Sequence, residues 1–269
     1  MSSNSKPGPS SASRTPLTTL DHTLVPMPSR THPDRAEALV SLSIALIDSA
    51  VDILERNIST DEELSRDSAL LPGGTVGKHF RHVIESFRAF LLNLYDNPRP
   101  LSEVPEINYD NILPTTRRPI ARSLPACRQA MRQISKDLTA WSEICRRRGS
   151  VMGGSGGSGG GVEGNPAGLG GQKAERRNGL VDEMDRVVHV VAITPTKQEM
   201  GSTVGRELWY CSLHSIHHFS MLRTIAVYEL DLTLPVEFGT APSTLLYRGL
   251  SWKPPTEGQT VKVIRTSKL

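Results

Sequence analysis

Cys211-Ser212-Leu213-His214-Ser215-Ile216-His217-His218-Phe219-Ser220-Met221 is the stretch on which the fold turns. Cys211, His214, His218, Met221, Ile225 and Tyr228 follow steps of three and four, which keeps them on one stripe of an α-helix. His214 and His218 stand one turn apart inside that apolar stripe. Imidazoles facing a helical core need partners, because an unsatisfied buried polar group costs about 1–3 kcal/mol. One divalent ion would serve both at once. Bonds to backbone or to carboxylates are the other way to satisfy them.

Three further stripes share this spacing. They are Val40, Ile44, Ile47, Val51, Leu54 and Ile58; Val76, Phe80, Val83, Phe87, Phe90 and Leu94; and Cys127, Met131, Ile134, Leu138, Trp141 and Cys145. Four apolar stripes in one chain bury best against each other, so the expected fold is all-α, a four-helix bundle. The punctuation agrees. Leu71-Pro72-Gly73-Gly74 precedes a capping Thr75, and Asn97-Pro98-Arg99-Pro100 ends the second helix. Pro125 suits the start of the third helix, and Gly201-Ser202-Thr203 opens the fourth. Thr75-Val76-Gly77-Lys78 is echoed by Thr203-Val204-Gly205-Arg206 at the two histidine-bearing helices. Val187-Val188-His189-Val190-Val191 is β-branched enough for a short strand.

Outward from the helices, residues 1–33 are Ser- and Pro-rich and read as a disordered tail, with no secretory h-region. Residues 34–248 form the bundle, 149–171 a flexible Gly-rich insertion containing GGSGGSGGG, and 249–269 a C-terminal tail. A net charge of +3 over 269 residues offers no basic footprint for nucleic acid. Arg146-Arg147-Arg148 reads as the solvated last turn of a helix, where cations suit the dipole. No window has the apolar span of a membrane helix. Cys127, Cys145 and Cys211 lack both a disulfide framework and CxxC spacing, and point to a reducing, cytoplasmic setting.

Five of the eight histidines fall in two windows, Gly77-Lys78-His79-Phe80-Arg81-His82 and His214-Ser215-Ile216-His217-His218. Counted from the capping threonines, antiparallel packing of the second and fourth helices levels the two windows at one site. By helical angle His79 lies nearer the apolar stripe, whereas His82 lies round toward Glu85. His217 reads as a neighbour of the ligands.

At these residues the chain resembles the DinB-like superfamily, which is unrelated in fold to the polymerase of similar name. His214, His217 and His218 match its fourth-helix signature, and Thr75-Val76 with His82-Val83-Ile84-Glu85 match its second-helix signature. Ser202 to Leu208 and Phe238 to Thr244 match two flanking motifs. The resemblance implies a four-helix bundle with a three-histidine divalent metal site, and it carries the third ligand onto His82, with His79 as the alternative. It also implies an open ligand position that could acidify a thiol or water, as in thiol S-transferases, a thiol-dependent isomerase and ergothioneine synthases. Glu85 and His217 would stand behind the ligands, and Cys211 could instead approach and close the site. Tyr109, Asp110, Arg117 and Arg118, before the third helix, would either line the mouth or be surface loop charge. The expected function is therefore metal-dependent thiol transfer or hydrolysis on a small electrophile, with a small-molecule thiol or electrophile as partner. The competing expectation is a non-catalytic, stress-associated binding protein with a structural or vestigial metal. Zinc, nickel and iron all suit imidazole. Oligomeric state is left open, with a homodimer among the options.

Overall fold

The computed structural model describes residues 32–100, 102–110, 117–151, 179–193 and 195–247. Four long helices dominate: α1 (His32–Arg56), α3 (Val76–Leu91), α5 (Leu124–Val151) and α7 (Val204–Tyr228). Shorter helices are α2 (Asp61–Ser65), α4 (Arg117–Arg122), α6 (Gly179–Asp185) and α8 (Pro242–Tyr247). The apolar stripes explain the long ones. Val40, Ile47 and Leu54 of α1, Phe80, Val83, Phe87 and Phe90 of α3, Cys127, Met131, Ile134, Leu138 and Trp141 of α5, and Cys211 and Ile225 of α7 are all buried. Packing closes on itself: α1 lies against α5 and α7, and α3 against the same two. Phe90 meets Trp141 edge-on with ring centroids 5.3 Å apart, joining α3 to α5 at the centre.

Helix α7 runs antiparallel to α3. His79 meets His218 near the start of α3, and seven residues further along α3, the Ser86 carbonyl receives the Cys211 thiol, seven residues back along α7. Both helices open the same way. The Thr75 hydroxyl accepts from Lys78 N at 3.0 Å, and the Thr203 hydroxyl accepts from Arg206 N at 3.2 Å. The following Val76 and Val204 are buried. A side chain on Gly77 would run into the Ala121 carbonyl of α4, and one on Gly205 would come within 3.1 Å of the Met184 carbonyl of α6. The sequence echo therefore has a shared physical cause: a cap, a buried anchor, and a gap through which a short helix approaches the first turn.

The expectation of an all-α chain is corrected by a three-stranded sheet in the order β1 (Glu106–Asn108), β2 (Val187–Ile193), β3 (Lys197–Thr203). Strand β2 is the β-branched run noted in the sequence. It pairs antiparallel with β3, Val190 opposite Met200, and parallel with β1, Ile107 opposite Val190. Val188, Val190 and Val191 bury while β3 is largely exposed, so β3 lacks the alternating pattern that would announce a strand. The second helix also ends differently from its stripe, passing into a π-helical turn over Leu92–Asp96 that still buries Leu94.

Three boundaries shift. Helix α1 already contains His32 and Pro33, since proline is tolerated in a first turn, so the tail reading falls only on residues outside those described. Helix α5 runs on through Gly149 and Ser150 into Val151, past the expected start of the Gly-rich insertion. The remainder of that insertion and residues 248–269 lie outside the described residues. The arginine run is not merely solvated: Arg146 donates to both Glu37 oxygens at 2.9 and 2.7 Å, tying α5 to α1. Among the described residues no helix is long and apolar enough to cross a membrane.

Candidate metal centre

The antiparallel pairing of α3 and α7 brings five imidazoles together. The ring of His218 is central. Its centroid lies 4.4 Å from that of His214, 5.3 Å from His79, 5.1 Å from His82, with which it stacks, and 5.5 Å from His217. His79 Nδ1 is 3.0 Å from His218 Nδ1, and His214 Nε2 is 3.1 Å from His218 Nε2. His79 and His218 are each only 8% exposed, whereas the His82 side chain is 46% exposed.

Ring chemistry limits how these contacts work. A neutral imidazole has one N–H and one lone pair, so His218 donates to one neighbour and accepts from the other. In either direction His79 Nε2 is left buried with no hydrogen-bond partner. It points toward the turn before α3, where a side chain on Gly74 would stand 3.3 Å from it. His82 differs. Arg81 can only donate, so at 3.4 Å its guanidinium engages the lone pair of His82 Nε2, and His82 Nδ1 faces Glu85 at 3.9 Å.

Burial holds His79, His214 and His218 neutral. The pKa of His218 is pushed down to about 3, first by desolvation and then by His214, His82, His79 and His217. Those of His79 and His214 are lowered by burial first and by His217 second. Unfolded, each imidazole takes a proton near 6.5. Below that pH the unfolded metal-free chain binds more protons than the folded one, so stability falls. The contribution is complete above about pH 6.5 and is lost as pH drops toward the lowered folded values. The melting temperature of metal-free protein should therefore fall between about pH 7 and pH 5. The slope should flatten when His79, His214 and His218 are replaced together by Gln. Parallel slopes in the two proteins would contradict the buried neutral cluster.

The donor set suits a divalent transition metal: neutral imidazoles with an orphaned buried nitrogen among them. Its convergence does not follow. His79 and His214 approach opposite nitrogens of His218, and one ion can take only one of these. Among the described residues no three His, Cys, Asp or Glu donors converge on a point. Both second-helix candidates sit in the cluster, His79 deep and His82 at the rim. Glu85 lies beside His82, and His217 is exposed at its edge.

Cys211 is placed otherwise than a ligand would be. Its thiol is fully buried, donates to the Ser86 carbonyl and contacts the Tyr109 hydroxyl, each at 3.7 Å, and burial pushes its pKa up to about 12. Tyr109 donates to Glu207 at 2.8 Å, Ser202 donates to the same carboxylate at 2.6 Å, and the Asp110 carboxylate accepts from Ile193 N. These residues pin the end of β1 to α7 and β2. Arg117 and Arg118 fall in α4. Sequence reasoning missed Tyr210, whose ring stacks on His214 at 5.6 Å, and Glu207, which holds Tyr109. Tyr210 stands one turn before His214, and that spacing was a usable signal.

Phe238 and Gly239 brace the centre from behind. Phe238 stacks on Phe219, the residue after His218, with centroids 4.8 Å apart. Gly239, at φ +75°, lets the chain pass against the Phe219 carbonyl.

No protein-family model matches the chain, and no solved structure does. The chain is similar to FK506-binding protein 5 of Rhizopus delemar, 54% identical over 44 residues. That stretch is 16% of this chain and 11% of the relative's length, too short to carry a fold.

Proposed function

We propose that the chain is a DinB-like protein, that its closed ring of four long helices is the bundle of that superfamily, and that the imidazole cluster binds one divalent metal ion. The observation that carries the reading is the clustering of His79, His214 and His218, with His79 Nδ1 3.0 Å from His218 Nδ1 and His214 Nε2 3.1 Å from His218 Nε2. His214 and His218 supply two ligands, and His79 or His82 the third. Binding replaces at least one of the two nitrogen contacts of His218. Zinc, nickel or iron fits such donors, and each acts as a Lewis acid that acidifies a thiol or water. Glu85 orients His82 through its Nδ1 side, as carboxylates commonly do behind metal-bound imidazoles. The function that follows is thiol transfer or hydrolysis on a small electrophile.

A non-catalytic protein with a structural metal is the second reading, and one observation favours it. A cavity of about 290 Å³ is lined by Ser65, Asp67, Thr75, Lys78, Ala121 and Arg122, and none of the five imidazoles borders it. Elemental analysis of protein purified without a histidine tag should find about one equivalent of metal. Turnover of small electrophiles with a thiol would establish the catalytic reading. Metal that raises the melting temperature without any turnover would establish the structural one, and a metal-free protein that binds none on titration would dismiss both.

A further inference from the structure

The cavity that the imidazoles do not border has a lining of its own. Ser65 and Asp67 stand at and just after the end of α2, Thr75 and Lys78 at the start of α3, and Ala121 and Arg122 at the end of α4. The α4 wall is fixed, because Gly77 lets the Ala121 backbone lie directly against α3. A volume of about 290 Å³ falls at the small end of ligand pockets, and Ala121 is the one apolar residue in the lining. Such a cavity suits a small polar molecule.

The lining groups are unequally occupied. Lys78 Nζ donates to the Gly73 carbonyl at 2.8 Å and lies 3.7 Å from the Asp67 carboxylate, which offsets its charge. The Arg122 guanidinium has no ion pair or hydrogen bond among the described residues. Two cations and one carboxylate therefore leave a single positive charge, carried by Arg122. The hydroxyls differ as well. Ser65 spends its proton on the Asp61 carbonyl at 2.7 Å and keeps lone pairs with which to accept, as Asp67 does. The Thr75 oxygen accepts from Lys78 N at 3.0 Å, which leaves its proton to donate.

We propose that this cavity binds a small polyhydroxylated monocarboxylate, a sugar acid in chemical class. One carboxylate matches the one uncompensated guanidinium, which can hold it through two parallel, charge-assisted N–H bonds. Hydroxyls on the rest of the ligand supply the donors that Asp67 and Ser65 lack, and one of them can accept from Thr75. A neutral polyol leaves Arg122 unmatched, and a dianion carries a second negative group toward Asp67. The site goes beyond the metal reading and does not rest on it, since no imidazole takes part.

The test is titration calorimetry on the full chain with sorbitol, gluconate and glucarate, which share one carbon chain and carry no, one and two carboxylates. Gluconate should bind about tenfold more tightly than sorbitol, the scale of one charge-assisted pairing at an open site, and more tightly than glucarate. Arg122→Gln should bring gluconate to within about twofold of sorbitol. Arg66→Gln removes the same charge beside the cavity without lining it, and should leave the preference intact. Asp67→Asn, which releases Lys78, should move the preference to glucarate. Equal binding of gluconate and sorbitol, binding of neither, or a preference that survives Arg122→Gln would overturn the site. A preference of the unaltered chain for glucarate would overturn the charge match on which the choice of a monocarboxylate depends.

Discussion

Replacing His218 by Ala is expected to abolish stoichiometric metal binding, weakening affinity by more than about a hundredfold, beyond what loss of an outer partner costs. His218 is the hub: it is the one ring that touches His79, His82, His214 and His217 together. Without it His79 Nδ1 and His214 Nε2 each lose their nitrogen contact, and two of the three proposed ligands, on different helices, remain. Titration calorimetry with zinc on the untagged protein reads the effect. Full affinity in His218→Ala would remove the site from this face of α7. The same titration separates the second-helix candidates. His79 is deep with an orphaned nitrogen, whereas the lone pair of His82 is engaged by Arg81. His79→Ala should therefore lose more than His82→Ala, and the reverse order would favour the ligand set implied by the DinB-like resemblance.

Gly77→Ala is expected to cost about 3 kcal/mol, because the added methyl meets the backbone of α4, which cannot swing aside as a side chain can. It would collide with the Ala121 carbonyl and stand 3.0 Å from Leu64 Cγ, so α2, α3 and α4 must all yield. In a domain of this size the melting temperature should drop by roughly 6–12 °C. Gly205→Ala is the control. Its methyl would meet Met184 Cβ at 3.3 Å and Sδ at 3.5 Å, atoms of a pliable side chain, although the Met184 carbonyl lies at 3.1 Å. A loss near 1 kcal/mol is expected there. Equal losses at the two glycines would mean that the approach of α4 does not set the cost, since helix propensity alone favours Ala at both positions.

Local and periodic features were legible in the sequence. The four apolar stripes predicted the long helices because a three-four spacing has one low-energy way to bury itself. Thr75 and Thr203 predicted the caps because a side-chain oxygen before a helix has a specific orphaned N–H to satisfy. His214 and His218 were visible because helical geometry alone places them one turn apart. Strand β3 carried no such signal, since an exposed edge strand is specified by its partner β2 and not by its own alternation. The need for glycine at position 77 carried no such signal either, because it arises from the approach of α4.

What the sequence by itself determined was which residues face inward along each helix, and so which imidazoles were available. Only the tertiary structure decided how α3 and α7 are levelled, and with it the roles of the individual rings. The angle around α3 already turned His79 inward and His82 toward Glu85; the second helix sets both rings against His218 and seals Cys211 against the Ser86 carbonyl. The reason is physical: periodicity specifies an angle around one helix axis, whereas a ligand, a rim or a sealed thiol is defined by distance to a second helix.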